Sequence, residues 1–173
     1  MKVVETEVLY EGKLRAVRHV LENEDGKRFR HETIEHPGAV VILPILPDGQ
    51  IVCVSQYRHS VRSRILELPA GTLEAGEAPI ICAGREIMEE IGMAARELLS
   101  LGTLFPAPGF CNEVQYLFVP RDLYESAFEP DEDEQIVTVP MSVRDMERAI
   151  VDGRLDDAKS IALFARARFS GLV

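Results

Sequence analysis

Cysteine is scarce in this sequence: Cys53, Cys82 and Cys111 are odd in number and show no Cys-x-x-Cys or Cys/His spacing. That excludes a disulfide framework and a structural zinc site, and it fits a reducing cytoplasm. Apolar runs of membrane-spanning length are missing, and no apolar stretch follows the first few residues, so neither a spanning helix nor a signal peptide is expected. Basic residues are in deficit, 19 Lys and Arg against 29 Asp and Glu for a formal net charge of −10. A passive electrostatic grip on nucleic acid is therefore not expected. A polyanionic ligand would need local help, from a divalent cation held by clustered carboxylates or from a few concentrated arginines. Internal repeats and flexible linkers are also absent, and the one biased segment is the acidic stretch 129–134.

What is present is the material of one folding domain: 173 residues, 46% of them hydrophobic and 28% charged. Residues 3–35 carry short β-branched and aromatic runs around a turn signal at Asn23, Glu24, Asp25 and Gly26, which predicts two or three antiparallel strands. Apolar runs at 40–46 and 51–57 flank Pro47, Asp48 and Gly49 and predict a buried hairpin. A loop then leads to a helix over 78–92, which Pro79 opens at its first turn and Gly92 closes. An interior glycine destabilises a helix by about 1 kcal/mol relative to alanine, so Gly84 suggests close packing against the sheet. Further strands are expected near 98–104, 114–119 and 136–139, and helices near 143–151 and 158–169. Strands and helices do not alternate regularly, and that order argues for an α+β fold over a doubly wound parallel sheet.

On a helical wheel the 78–92 segment places Ile80, Gly84, Ile87, Met88 and Ile91 on one side, read as the core face. Arg85, Glu86, Glu89 and Glu90 fall opposite. Three carboxylates at spacings of three and four repel one another on one patch. With Glu74 and Glu77 in the preceding glycine-containing loop, the cluster suits Mg²⁺ or Mn²⁺, which take carboxylates, backbone carbonyls and water.

Gly71, Glu77, and the run Arg85, Glu86, Ile87, Met88, Glu89, Glu90, Ile91, Gly92 and Met93 resemble the Nudix box at each of its fixed positions. The resemblance implies an α/β/α sandwich with a mixed central sheet and a small N-terminal antiparallel sheet. In that scheme residues 1–35 serve dimerisation and substrate binding, and residues 36–173 form the catalytic domain. It also implies that Glu86, Glu89, Glu90 and the Ala70 carbonyl hold Mg²⁺, with Mn²⁺ as an alternative. Gly71 and Gly92 are structural, and Glu77 and Arg85 form an ion pair that fixes the loop against the helix.

Flanking segments choose among chemistries. Pro108 and Gly109 within 106–113, His36 to Val40, Gln56 to Arg58, Glu67 to Gly71, and the acidic Asp131 to Glu134 resemble ADP-ribose pyrophosphatases. Ala107 before the Pro-Gly pair, and Ile81 and Cys82 in the helix, depart from that pattern. The implied activity is metal-dependent cleavage of ADP-ribose to AMP and ribose 5-phosphate. GDP-mannose, another sugar nucleotide or FAD remain alternatives, as does a non-catalytic ADP-ribose sensor. Substrate candidates are Arg58, Arg30, Arg64, Pro108, Gly109, Phe110 and Glu113, with Tyr10 or Phe29 for the adenine. Glu90 joins Glu132 and Glu134 as the catalytic set; Glu132 is the first choice of general base, and Glu134 the second or a further metal ligand. The expected partners are a small nucleoside diphosphate substrate and a second copy of the chain across the N-terminal strands, with no nucleic acid and no membrane.

Overall fold

The computed structural model describes residues 1–12, 14–126 and 136–173. Strands β1 (Lys2–Glu11), β2 (Arg15–Glu22) and β3 (Arg28–Glu35) form an antiparallel sheet in that order. Its second turn is built as its residues dictate. The Asn23 side-chain oxygen accepts from the Asp25 and Lys27 amides, and Gly26 takes the left-handed conformation at φ 75° that a side chain disfavours.

Beyond it run β4 (Ala39–Ile42), β5 (Ile51–Arg58), β6 (Ser63–Glu67), β7 (Ala70–Thr72), α1 (Pro79–Ile91), β8 (Met93–Leu104), β9 (Gln115–Glu125), β10 (Val137–Met141), α2 (Val143–Asp152) and α3 (Ala158–Phe169). One sheet has the order β7-β4-β9-β8, with β4 and β9 parallel and the rest antiparallel; the other has β10-β5-β6. Alternate residues of β4 go to opposite sides, as the period of two requires. Val40 and Ile42 pack with Cys82, Ala83 and Ile87 of α1. Val41 and the following Leu43 pack with Met146 of α2 and Leu163 and Phe164 of α3. Helices thus cover both faces, giving the expected α+β sandwich with a mixed central sheet. Among the described residues no helix is long and apolar enough to cross a membrane.

Three expectations are corrected. The two apolar runs are buried over 40–44 and 51–54, while Tyr57 is 42% exposed. They do not continue as a hairpin: antiparallel pairing is confined to the residues beside the turn, where Ile45 bridges Ile51, Val52 N–H donates to the Pro44 carbonyl and Leu46 N–H to the Gln50 carbonyl, and β4 and β5 themselves lie in different sheets. Both edges of β4 are already taken, by β7 and β9, so β5 pairs with β6 and β10 instead. Gly84 is not a close-packing site, since a Cβ there would meet nothing within 4 Å. The core face of α1 is Cys82, Ala83 and Ile87 rather than a face that includes Ile80, which is 50% exposed in the first turn. That rotation carries Glu86 and Glu90 inward, each only 8% exposed.

The short strands β6 and β7 come from a stretch with no alternating pattern long enough to predict them. The ends of α1 follow local chemistry: Pro79 occupies the first turn, and Gly92, at φ 68°, returns its N–H to the carbonyls of Ile87 and Met88.

Candidate active site

Pro69 connects β6 to β7, and its carbonyl accepts from Ile42 N–H at 2.9 Å, so β7 is tied to the sheet edge opposite Val40 and Val41. The inward side of α1 lies against this three-residue strand. Ala70 N–H donates to Glu90 Oε2 at 3.2 Å, and the Glu86 carboxylate occupies the space a side chain at Gly71 would need. An ideal Cβ on Gly71 would stand 1.8 Å from Glu86 Cδ, so only glycine admits the carboxylate here. The result is a cleft of about 440 Å³ whose wall includes Arg58, Ala70, Gly71, Arg85, Glu86 and Glu90.

The repulsion expected among the carboxylates of α1 is relieved by an arginine on the same helix. Arg85 Nη1 donates to Glu86 Oε1 at 2.7 Å and to Glu89 Oε2 at 2.8 Å. Its Nε and Nη2 grip Glu77 through both oxygens at 3.1 Å. Glu77 Oε2 also accepts from Glu74 N–H at 3.0 Å, which closes the loop between β7 and α1. This fork raises the Arg85 guanidinium further above its ordinary value, chiefly through Glu77, and holds the Glu77 carboxyl down at about 2.

Glu77 sits below its ordinary value of 4.5 in the folded chain, so its contribution to stability is complete above about pH 4.5 and is lost as pH falls toward about 2. Glu67, also lowered, adds a loss of the same sign. In urea titrations the Glu77→Gln protein should be the less stable at neutral pH and should converge on the parent at the acid end of that window. Parallel curves would remove the latch from the account.

The other candidates from the sequence are distributed as follows. Arg58 reaches the cleft, held by Glu67 through Nε–Oε1 at 2.7 Å and Nη2–Oε2 at 2.9 Å. Glu89 shares Arg85 with Glu86 but does not line the cleft. Arg30 is exposed on β3, and Arg64, exposed on β6, donates to the Ser55 carbonyl at 3.2 Å; neither lines the cleft. Pro108, Gly109 and Phe110 form a turn docked on β3, with Ile34 N–H donating to the Phe110 carbonyl at 2.7 Å. Phe110 lines a separate hollow with Leu9 and Val17 of the N-terminal sheet. Glu113 accepts from the Gln115 side chain at 2.8 Å. Glu132 and Glu134 lie outside the described residues. Tyr10 and Phe29 are both exposed, on β1 and β3. Cys53 and Cys82 are buried free thiols that burial pushes up to about 12, so they pack and do not react.

Sequence reasoning missed Glu67 as a site residue, although it is 1% exposed. Its signal was available only in the strand pairing. Glu67 stands opposite Val54, on the same side of β5 as Arg58, so a long side chain at 58 reaches back to it.

Among the described residues, no three His, Cys, Asp or Glu side chains stand together as a ready metal cage. The carboxylates that line the cleft are Glu86, Glu90 and, from the loop before α1, Glu74, and the first two stand against the backbone of the β7 strand. Hard oxygen donors of mixed side-chain and backbone origin are the set that Mg²⁺ and Mn²⁺ accept, and the glycine cradle keeps one of them in place.

Comparison with known proteins identifies the family. The NUDIX domain family matches residues 35–164. An ADP-ribose pyrophosphatase of Bacillus subtilis (strain 168) is 35% identical over 138 residues, covering 79% of this chain and 75% of its own. A methanol dehydrogenase activator of Bacillus methanolicus is 32% identical over 163 residues, covering 92% and 88% respectively. In three dimensions, a crystal structure of an ADP compounds hydrolase superposes with a TM-score of 0.84 at 25% identity, covering 96% of this chain and 91% of that one. Hydrolases of this family generally need a divalent metal ion. The glycine-cradled carboxylate, the Arg85 latch and a family match across most of the sequence lead to one assignment: the chain is a Nudix hydrolase.

Proposed function

We propose that this Nudix hydrolase cleaves the diphosphate of ADP-ribose, giving AMP and ribose 5-phosphate, with Mg²⁺ as its ion and Mn²⁺ as a substitute. The observation that carries the reading is the cleft itself, where the Glu86 and Glu90 carboxylates and the β7 backbone stand within one hollow with the Arg58 guanidinium. Anionic oxygens alone would repel a diphosphate; oxygens that hold a cation, beside an arginine, receive one. The relative from Bacillus subtilis that shares 35% of its aligned residues supports ADP-ribose over other nucleoside diphosphates.

Glu86, Glu90 and the Ala70 carbonyl would hold the ion, with Glu89 added when Arg85 releases it. When bound, such an ion neutralises phosphate charge and acidifies water. Arg58 keeps three N–H donors beyond the two given to Glu67, and presents them to phosphate oxygens. Water attacks a phosphorus of the diphosphate, the bridging P–O bond breaks, and the water's proton passes to a carboxylate, for which Glu132 is the choice and Glu134 the alternate.

Product analysis with ADP-ribose and Mg²⁺ tests the reading: AMP and ribose 5-phosphate should appear, and neither should form when a chelator is added. The same assay on the Glu132→Gln and Glu134→Gln proteins identifies the base by which one loses more turnover. No turnover of ADP-ribose with either ion would overturn the proposal.

The N-terminal sheet is proposed as the dimer surface of a cytoplasmic enzyme. All ten residues of β1 are exposed, among them Leu9 at 43% and Tyr10 at 63%, which is more apolar surface than a lone sheet usually leaves to water. Sedimentation equilibrium should give twice the 19.3 kDa of one chain, and a single-chain mass at micromolar concentration would refute it.

A further inference from the structure

A buried carboxylate paired with one arginine is already neutralised, yet Glu67 holds two cations. Lys159, from the first turn of α3, donates to the same Oε2 that receives Arg58 Nη2. Lys159 is itself only 13% exposed and lies 3.0 Å from Asp157 on its other flank. Asp157 caps α3 by accepting from the Ser160 N–H at 3.1 Å and from its hydroxyl. Ser160 Oγ in turn accepts from Leu68 N–H at 2.6 Å. One turn of α3 therefore grips two consecutive residues, Glu67 by its charge and Leu68 by its backbone, just ahead of Ala70.

The charges decide what this does for the cleft. Alone, Arg58 and Glu67 form a closed pair with no net charge, and a dipole attracts a phosphate far more weakly than a cation does. Lys159 cancels Glu67 a second time, so the three groups together carry one positive charge. Asp157 pairs with Lys159 at 3.0 Å and, counted in full, would return the four side chains to neutrality, but its charge is partly compensated by the amino-terminal N–H groups of the helix it caps, so a fractional positive charge remains.

We propose that Lys159 is a positioning residue for the hydrolysis: by neutralising Glu67 it leaves Arg58 anchored through Nε and Nη2 but still positively charged toward a substrate phosphate. This rests on the reading of Arg58 as a phosphate ligand, and the test separates the two.

Steady-state kinetics with ADP-ribose would be measured on the Arg58→Ala, Lys159→Met and doubly substituted proteins, each checked for folding by circular dichroism. Lys159→Met should raise KM by about tenfold with kcat within about threefold, and the double substitution should be no worse in KM than Arg58→Ala alone, because both changes remove one interaction. Lys159→Arg, which keeps the charge, should restore KM to within about threefold of the parent. An unchanged KM in Lys159→Met, or losses that multiply in the double substitution, would overturn the proposal. If Arg58→Ala leaves KM unchanged, the phosphate-ligand reading fails and the role of Lys159 falls with it. Should Lys159→Met not fold, Lys159→Gln, which keeps a donor for Glu67 and removes only the charge, is judged by the same outcomes.

Discussion

Glu90→Gln is expected to lower turnover of ADP-ribose by about a thousandfold, equivalent to about 4 kcal/mol in the barrier, in a protein that folds as before. The fold survives because Glu90 makes a hydrogen bond that an amide can keep. Its Oε2 accepts from Ala70 N–H, and the glutamine oxygen can occupy that place. What the amide cannot keep is the negative charge. Glu90 is 8% exposed and stands beside Glu86 at the hollow shared with Arg58, so an anionic oxygen there acts with little screening by water. A neutral oxygen is a weak partner for a divalent cation, whereas the same change on an exposed helix face would pass almost unnoticed. The assay is kcat at saturating Mg²⁺ alongside a thermal melt. Turnover near that of the parent, with an intact melt, would show that Glu90 holds no ion and would remove the main support of the proposed chemistry.

The sequence made these carboxylates visible as a group but not their surroundings. Glutamates at 86, 89 and 90 share a helix patch by spacing alone, and Pro79 and Gly92 mark the helix ends through backbone rules that need no tertiary contact. The wheel, however, fixes angles between residues and not which sector meets the protein. It set Glu86 and Glu90 opposite the core, while the structure buries both against β7. That strand is three residues long, contains Gly71 and has no periodicity to read, so nothing local announces that it covers the helix. Pairings across long separations were equally hidden. Lys159 reaches Glu67 across 92 residues, and the apolar runs on either side of Pro47 revealed burial but not that their strands enter different sheets. Local signals located the ends of elements; the partners of each element came from edges already occupied and space already filled.

Gly71→Ala makes that last point measurable. Gly71 lies in the short strand β7 without a left-handed φ, so alanine fits its backbone without strain, and any effect comes from one methyl group. That methyl would stand 1.8 Å from both Cδ and Oε1 of Glu86, and 2.4 Å from Oε2. Contacts so short cannot persist, and the mobile end of a glutamate yields more readily than two paired strands. The carboxylate should swing out of the cleft, and Arg85, whose Nη1 holds Glu86 Oε1 at 2.7 Å, should move with it. The protein should therefore remain folded, with a loss of stability of about 1–3 kcal/mol typical of a crowded site. Turnover should fall by about a hundredfold, the scale on which a displacement of about 1 Å acts in a preorganised site. Raising the Mg²⁺ concentration should recover only part of the loss, since the ligand is misplaced as well as weakened. Full activity in Gly71→Ala would mean that the Glu86 carboxylate works from elsewhere, and that the close approach of helix to strand is packing without consequence for the chemistry.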